Sequence, residues 1–109
     1  MTTITITKSS EDVFRSIECK GHAGYADYGN DIVCAAISAM TINTINSIDR
    51  LTDDDIDVYQ DEDKGIIRFK FNQSPSRDAD LLLRSFELGV TSILKQYGKK
   101  FLNIKFRRE

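Results

Sequence analysis

The apolar residues of this chain keep two different periods, and the order in which the periods occur restricts it to one class of fold. Ile4-Thr5-Ile6-Thr7 and Val13 to Lys20 alternate apolar with polar residues on either side of Lys8-Ser9-Ser10-Glu11-Asp12, the pattern of two half-buried strands in a hairpin. From Val33 the spacing lengthens, and Val33, Ile37, Met40, Ile45 and Ile48 recur near the helical period. Period two returns in Ile56 to Tyr59 and Ile66 to Phe71. It gives way to helical spacing at Leu82, Phe86, Val90, Ile93 and Tyr97, and closes the chain at Leu102, Ile104 and Phe106.

Local signals set the boundaries. Asn30 or Asp31 can cap the first helix, which is expected to end near Ser47 to Asp49. Its β-branched residues, with Thr41, Asn43, Thr44 and Asn46, are poor helix formers, so this helix should depend on burial against a sheet. Asp61 to Gly65 reads as a hairpin turn. Pro75 breaks the following run, Ser74 or Ser76 can cap the second helix, and Gly98 stands where a helix needs a left-handed end. The order is β-β-α-β-β-α-β: an α+β fold, a two-layer sandwich with a largely antiparallel mixed sheet and both helices on one face. A chain of 109 residues has room for one core, and no linker or repeat divides it, so residues 1–109 read as a single domain.

Charge narrows the function. Fifteen Lys and Arg against seventeen Asp and Glu leave a net charge of -2, without the positive field of a general nucleic-acid binder, and direct RNA binding is not expected. Two local runs stand out against that balance. Asp53-Asp54-Asp55-Ile56-Asp57 with Asp61-Glu62-Asp63 is either a solvated edge or a recognition surface for a basic peptide; Lys99, Lys100, Lys105, Arg107 and Arg108 form a basic tail. Two cysteines are too few for a disulfide framework and the first residues do not read as a signal peptide, so reduced thiols in the cytoplasm are expected. Ser38, Thr41, Asn43, Thr44, Asn46 and Ser47 interrupt the apolar stretch, which argues against a membrane span. One His and two Cys fall short of a zinc quartet, and Gly21-His22-Ala23-Gly24 lacks the ending of a phosphate loop, so no metal or cofactor is expected.

The chemistry is concentrated between Gly21 and Ser38. His22, the only histidine, follows a strand, and Cys34 comes twelve positions later, in what reads as the first turn of a helix. The glycine-rich stretch between them can double back and bring the two together. Helix-start amides favour a thiolate, and an imidazole can take the thiol proton, so the pair has the makings of a nucleophile and its base. Free amides around Asp31 to Cys34 are candidate donors to an oxyanion. Asp31 can orient His22 or simply cap the helix. The plain alternative is a cysteine buried as a small hydrophobe and a histidine in a solvated turn. Cys19, sharing a strand face with Val13 and Ile17, reads as core.

Gly21-His22-Ala23-Gly24-Tyr25-Ala26, followed by Gly29-Asn30-Asp31-Ile32-Val33-Cys34-Ala35-Ala36-Ile37-Ser38-Ala39, closely resembles the bacterial ribosomal-processing cysteine proteases, the Prp or YsxB-like family. Ile37 stands where that pattern often has valine. The resemblance implies a homodimeric α+β cysteine endopeptidase in which Cys34 attacks the peptide carbonyl and His22 acts as base and then acid. It implies supporting roles for Asp31 and Ser38, and a substrate loop carrying Gly21, Gly24, Tyr25, Tyr28 and Gly29. The substrate implied is the extended N-terminus of ribosomal protein twenty-seven of the large subunit. The rival reading is a non-catalytic ribosome-associated domain that binds RNA or peptide.

Overall fold

A computed structural model describes residues 1–21 and 28–109, with side chains described outside 22–31. The elements are β1 (Thr2–Lys8), β2 (Phe14–Lys20), α1 (Tyr28–Leu51), β3 (Ile56–Asp61), β4 (Ile66–Phe71), α2 (Arg77–Tyr97) and β5 (Leu102–Arg108). They form one five-stranded sheet in the order β3-β4-β2-β1-β5. Both hairpins and the β2–β4 pair are antiparallel, whereas β5 runs parallel to β1. The fold is therefore the α+β arrangement that the two periods require.

Alternation places Thr2, Ile4 and Ile6, Ile17 and Cys19, and Ile67, Phe69 and Phe71 on the face that carries the helices. Ile4, Ile6, Ile17 and Phe69 are fully buried there. The expected Val13–Ile17–Cys19 face is corrected to Phe14, Ile17 and Cys19. The partners of Thr7 and Lys8 are Ser16 and Phe14, so Arg15 is an extra residue and the strand changes phase at this bulge.

The helices are longer than their sequence signals. α1 begins at Tyr28, ahead of the expected cap, and runs on to Leu51. Its buried stripe is Val33, Ile37, Thr41, Thr44 and Ile48, with Met40 and Ile45 only partly covered. The two threonines are tolerated inside because their hydroxyls donate to the carbonyls of Ile37 (2.7 Å) and Met40 (2.8 Å) one turn back. By length and composition alone Ile32–Leu51 is apolar enough to cross a membrane. Val33, Ile37 and Ile48 of that stretch are buried in the core, whereas Ile42 and Leu51 are exposed. The Met40 methyl of α1 occupies the space that a Cβ at Gly89 of α2 would fill, so a side chain there would require Met40 to shift.

Ser76, not Ser74, caps α2, and its hydroxyl accepts from the Ala79 amide at 3.1 Å. The buried stripe is Ala79, Leu83, Phe86 and Val90, centred one position beyond the expected Leu82, and Tyr97 remains exposed. Gly98 ends the helix at φ 88°, its amide donating to the Leu94 carbonyl. On β5, Leu102, Ile104 and Phe106 share the helix-side face as expected, yet burial falls from complete at Leu102 to 61% exposure at Phe106.

Candidate active site

The site lies at the end of the sheet beneath the start of α1. Cys34 stands in the second turn of α1, more than one turn beyond the helix start, so the expectation of a first-turn cysteine is corrected. The amides of Asp31 to Cys34 consequently belong to the body of the helix, and the free amides of its start lie upstream of them. Tyr28 and Gly29, expected in the loop, are the first residues of α1. Glycine is tolerated there because the first amides of a helix are not yet part of its hydrogen-bonded ladder.

Opposite Cys34 the sheet carries two neighbouring glycines. The Gly21 amide donates to the Gly65 carbonyl at 3.0 Å, which carries the β2–β4 pairing one step further. Gly65 adopts φ 64°, closing the β3–β4 turn with its amide on the Glu62 carbonyl. A Cβ placed on Gly21 would lie 3.4 Å from the Cys34 sulfur and 3.3 Å from the Thr2 hydroxyl. The residue immediately before His22 thus sits against the Cys34 thiol.

Because neither glycine fills the space under α1, a pocket of about 200 Å³ remains. Cys34, Ile37 and Ser38 line it from the helix, Cys19, Ile67 and Thr2 from the sheet, and Gln60 and Glu62 from β3 and its turn. Gln60 pairs with Ile67 and so shares its helix-side face. Asp61 also lines the pocket, but its carboxylate accepts from the Lys64 amide (3.1 Å) and the Tyr59 hydroxyl (3.4 Å).

The two thiols differ. Cys34 is half-buried at the pocket, whereas Cys19 is buried in the core with its sulfur 3.0 Å from the Thr41 hydroxyl. Burial pushes the Cys19 thiol up to about 11, against the opposing hydrogen bond to Thr41 and with a small further push from Glu18. It is a structural thiol, as expected.

The acidic run divides by position. Asp54 accepts from the Ser76 hydroxyl and from the Ser76 amide (2.7 Å), and Asp55 accepts from the Asn72 side chain at 2.8 Å. Burial tends to raise the Asp54 carboxyl, but the bonds from Ser76, with smaller help from Thr52 and the backbone, hold it below its ordinary value. These residues lie at the opposite end of β3, roughly 17 Å of strand from the pocket. Of the acidic run, Asp61 and Glu62 line the pocket that holds Cys34.

Of the residues named from the sequence, the fold brings together Gly21, Cys34 and Ser38. His22, Gly24 and Tyr25 lie outside the described residues, as do the side chains of Tyr28 and Asp31. Thr2, Gln60, Glu62 and Gly65 were not anticipated at the site. Gly65 was legible as a turn residue, but its pairing with Gly21 follows from strand register. Among the described residues, no three His, Cys, Asp or Glu side chains are grouped to hold a metal ion.

The profile of the family described as "Cysteine protease Prp" matches residues 1–102. The ribosomal processing cysteine protease Prp of Staphylococcus aureus is 30% identical over 106 residues, covering 96% of this chain and 100% of that protein. Two solved structures of an essential ribosomal processing protease Prp from S. aureus cover 100% of both chains at 28% identity. One is in complex with a substrate peptide, with a TM-score of 0.87; the other, with a covalently linked product peptide, has a TM-score of 0.82.

Proposed function

The chain belongs to the Prp family of cysteine proteases, and on that premise we propose that it removes the N-terminal extension of ribosomal protein twenty-seven of the large subunit, with Cys34 as nucleophile and His22 as base and acid. The observation that carries the residue assignment is the contact between Gly21 and the Cys34 sulfur. Gly21, the residue before His22 in the sequence, lies beside the thiol, and both line a pocket that can receive a substrate side chain.

In this mechanism His22 takes the Cys34 proton as the sulfur bonds to the scissile carbonyl carbon. Collapse of the tetrahedral intermediate breaks the C–N bond, and the imidazolium gives its proton to the leaving amine. The N-terminal fragment remains on sulfur as a thioester. Water then attacks the thioester carbon, with its proton passing to His22. Cleavage of the C–S bond releases the fragment as a carboxylic acid and restores the thiol. The covalently linked product of the S. aureus enzyme is consistent with such an intermediate. Asp31 supports the imidazole, Ser38 shapes the pocket, and Gly24, Tyr25, Tyr28 and Gly29 act on the peptide from the segment before α1.

The reading extends to a homodimer in the cytoplasm, where both free cysteines stay reduced. Leu81 and Leu88, seven residues apart on the outer side of α2, are exposed apolar side chains that such a dimer can cover.

The test is cleavage of the extended ribosomal protein by the native chain, Cys34→Ala, Cys34→Ser and His22→Ala. Native cleavage should give two fragments, and each variant should lose turnover while the two Cys34 variants still bind the uncut protein. Normal cleavage by a folded Cys34→Ala chain would reject the assignment.

A further inference from the structure

A net charge of -2 argues against a nucleic-acid binder, but the fold sorts the charges by strand. On the sheet face without helices, alternation sets Lys105 and Arg107 of β5 beside Thr5 and Thr7 of β1, with Glu18 and Lys20 on β2, Arg68 and Lys70 on β4, and Asp57 and Asp61 on β3. Lys20, Lys64, Lys105 and Arg107 gather around a concavity of about 510 Å³ whose floor includes Thr3 and Thr5. None of the four cations takes part in an ion pair among the described residues. Glu18, which also lines the concavity, is paired with Arg68 at 3.3 Å. Asp57 and Asp61 are four strand spacings from β5, roughly 19 Å. That exceeds the screening length of about 8 Å at physiological salt for Lys105 and Arg107, whereas Lys64 shares its turn with Asp61, Glu62 and Asp63.

We infer that this concavity on the β2–β1–β5 half of the helix-free face binds the phosphate backbone of RNA. Lys105 and Arg107 point the same way at a step of roughly 7 Å along β5, and Lys20, two strands across and level with Asn103, lies roughly 12 Å from Lys105. This spread of point charges suits a chain of phosphates, and the threonine hydroxyls add neutral donors to phosphate oxygens. A lipid surface fits less well, because among the described residues Met1 is the sole large apolar side chain lining the concavity. No aromatic side chain among the described residues lines it, and the cations and hydroxyls that do line it address phosphates, so recognition is independent of sequence. The basic tail contributes only in part: Arg108 faces the other way and pairs with Asp12. The inference rests on the helix-free face alone and is independent of the protease mechanism.

The experiment is fluorescence anisotropy of a labelled 20-nucleotide poly-U RNA with the full-length chain over a series of salt concentrations. Binding should weaken with salt, with a log–log slope of about -3 for four phosphate contacts. Lys105→Glu/Arg107→Glu should lose at least about tenfold in affinity and flatten the slope, and the milder Lys20→Gln/Lys64→Gln should weaken binding severalfold. Arg84→Glu/Lys95→Glu changes the net charge equally on α2 and should leave affinity within about twofold; circular dichroism verifies the fold of each variant. Absence of binding at 50 mM salt would overturn the inference. So would equal loss in the α2 control, competition by poly-glutamate as strong as by unlabelled RNA, or preferential sedimentation with vesicles containing phosphatidylserine.

Discussion

The Cys19 sulfur and the Thr41 hydroxyl lie 3.0 Å apart in the interior, tying β2 to α1. The Thr41 hydroxyl also donates to the Ile37 carbonyl one turn back, so the contact joins the Cys19 sulfur to the backbone of the helix. Burial raises this thiol to about 11, so the folded state resists its ionisation. The unfolded chain releases the proton near the ordinary 9.0, and stability should therefore fall as pH rises from about 9 through about 11, by up to roughly 2–3 kcal/mol. Urea unfolding of the native chain and Cys19→Ala across that range checks this. The difference between them should grow in the native chain's disfavour with pH, and a constant difference would refute the assignment.

The same contrast governs labelling. At pH 8 iodoacetamide should modify Cys34, which opens on the pocket, at least about tenfold faster than Cys19, which reacts only as the chain opens. Mass mapping after partial labelling distinguishes them. Equal slow modification of both would mark Cys34 as a second structural thiol.

Substrate attraction should reside in the turn rather than in the acidic run as a whole. Glu62→Lys should raise KM for a lysine-containing substrate peptide severalfold, with a smaller effect on kcat and with weaker salt dependence. Asp53→Asn, at the far end of β3, should leave KM within about twofold. Equal effects of the two substitutions would favour a diffuse field over a local contact.

Ser76 joins the β3 approach to α2, donating to Asp54 and capping the helix through Ala79. Ser76→Ala should cost about 1 kcal/mol. The Asp54 carboxyl is held below its ordinary value, so its stabilising share is complete above the unfolded pKa and disappears as pH falls through the folded one. Thermal melts should show the native chain losing stability in acid faster than Asp54→Asn.

The order of elements was legible because period two and period 3.6 are set by backbone geometry, and strong punctuation at Pro75, Ser76 and Gly98 marked α2. Phases within elements were less legible. The bulge at Arg15 moved Phe14 inward in place of Val13, and Thr41 and Thr44 hid the true stripe of α1 because their hydroxyls are satisfied within the helix. At the site, Cys34 and Gly21 stood out by residue type. Gln60, Glu62, Gly65 and Thr2 did not, because they are assembled by register between segments far apart in the chain.

The parallel seating of β5 beside β1 gives the two chain ends unequal surroundings. Thr2 lines the pocket, while Glu109 bonds back to Lys8 a full strand away. An affinity tag or fluorescent fusion at the amino end will therefore crowd the entrance to Cys34. The same cargo at the carboxyl end will leave that entrance clear.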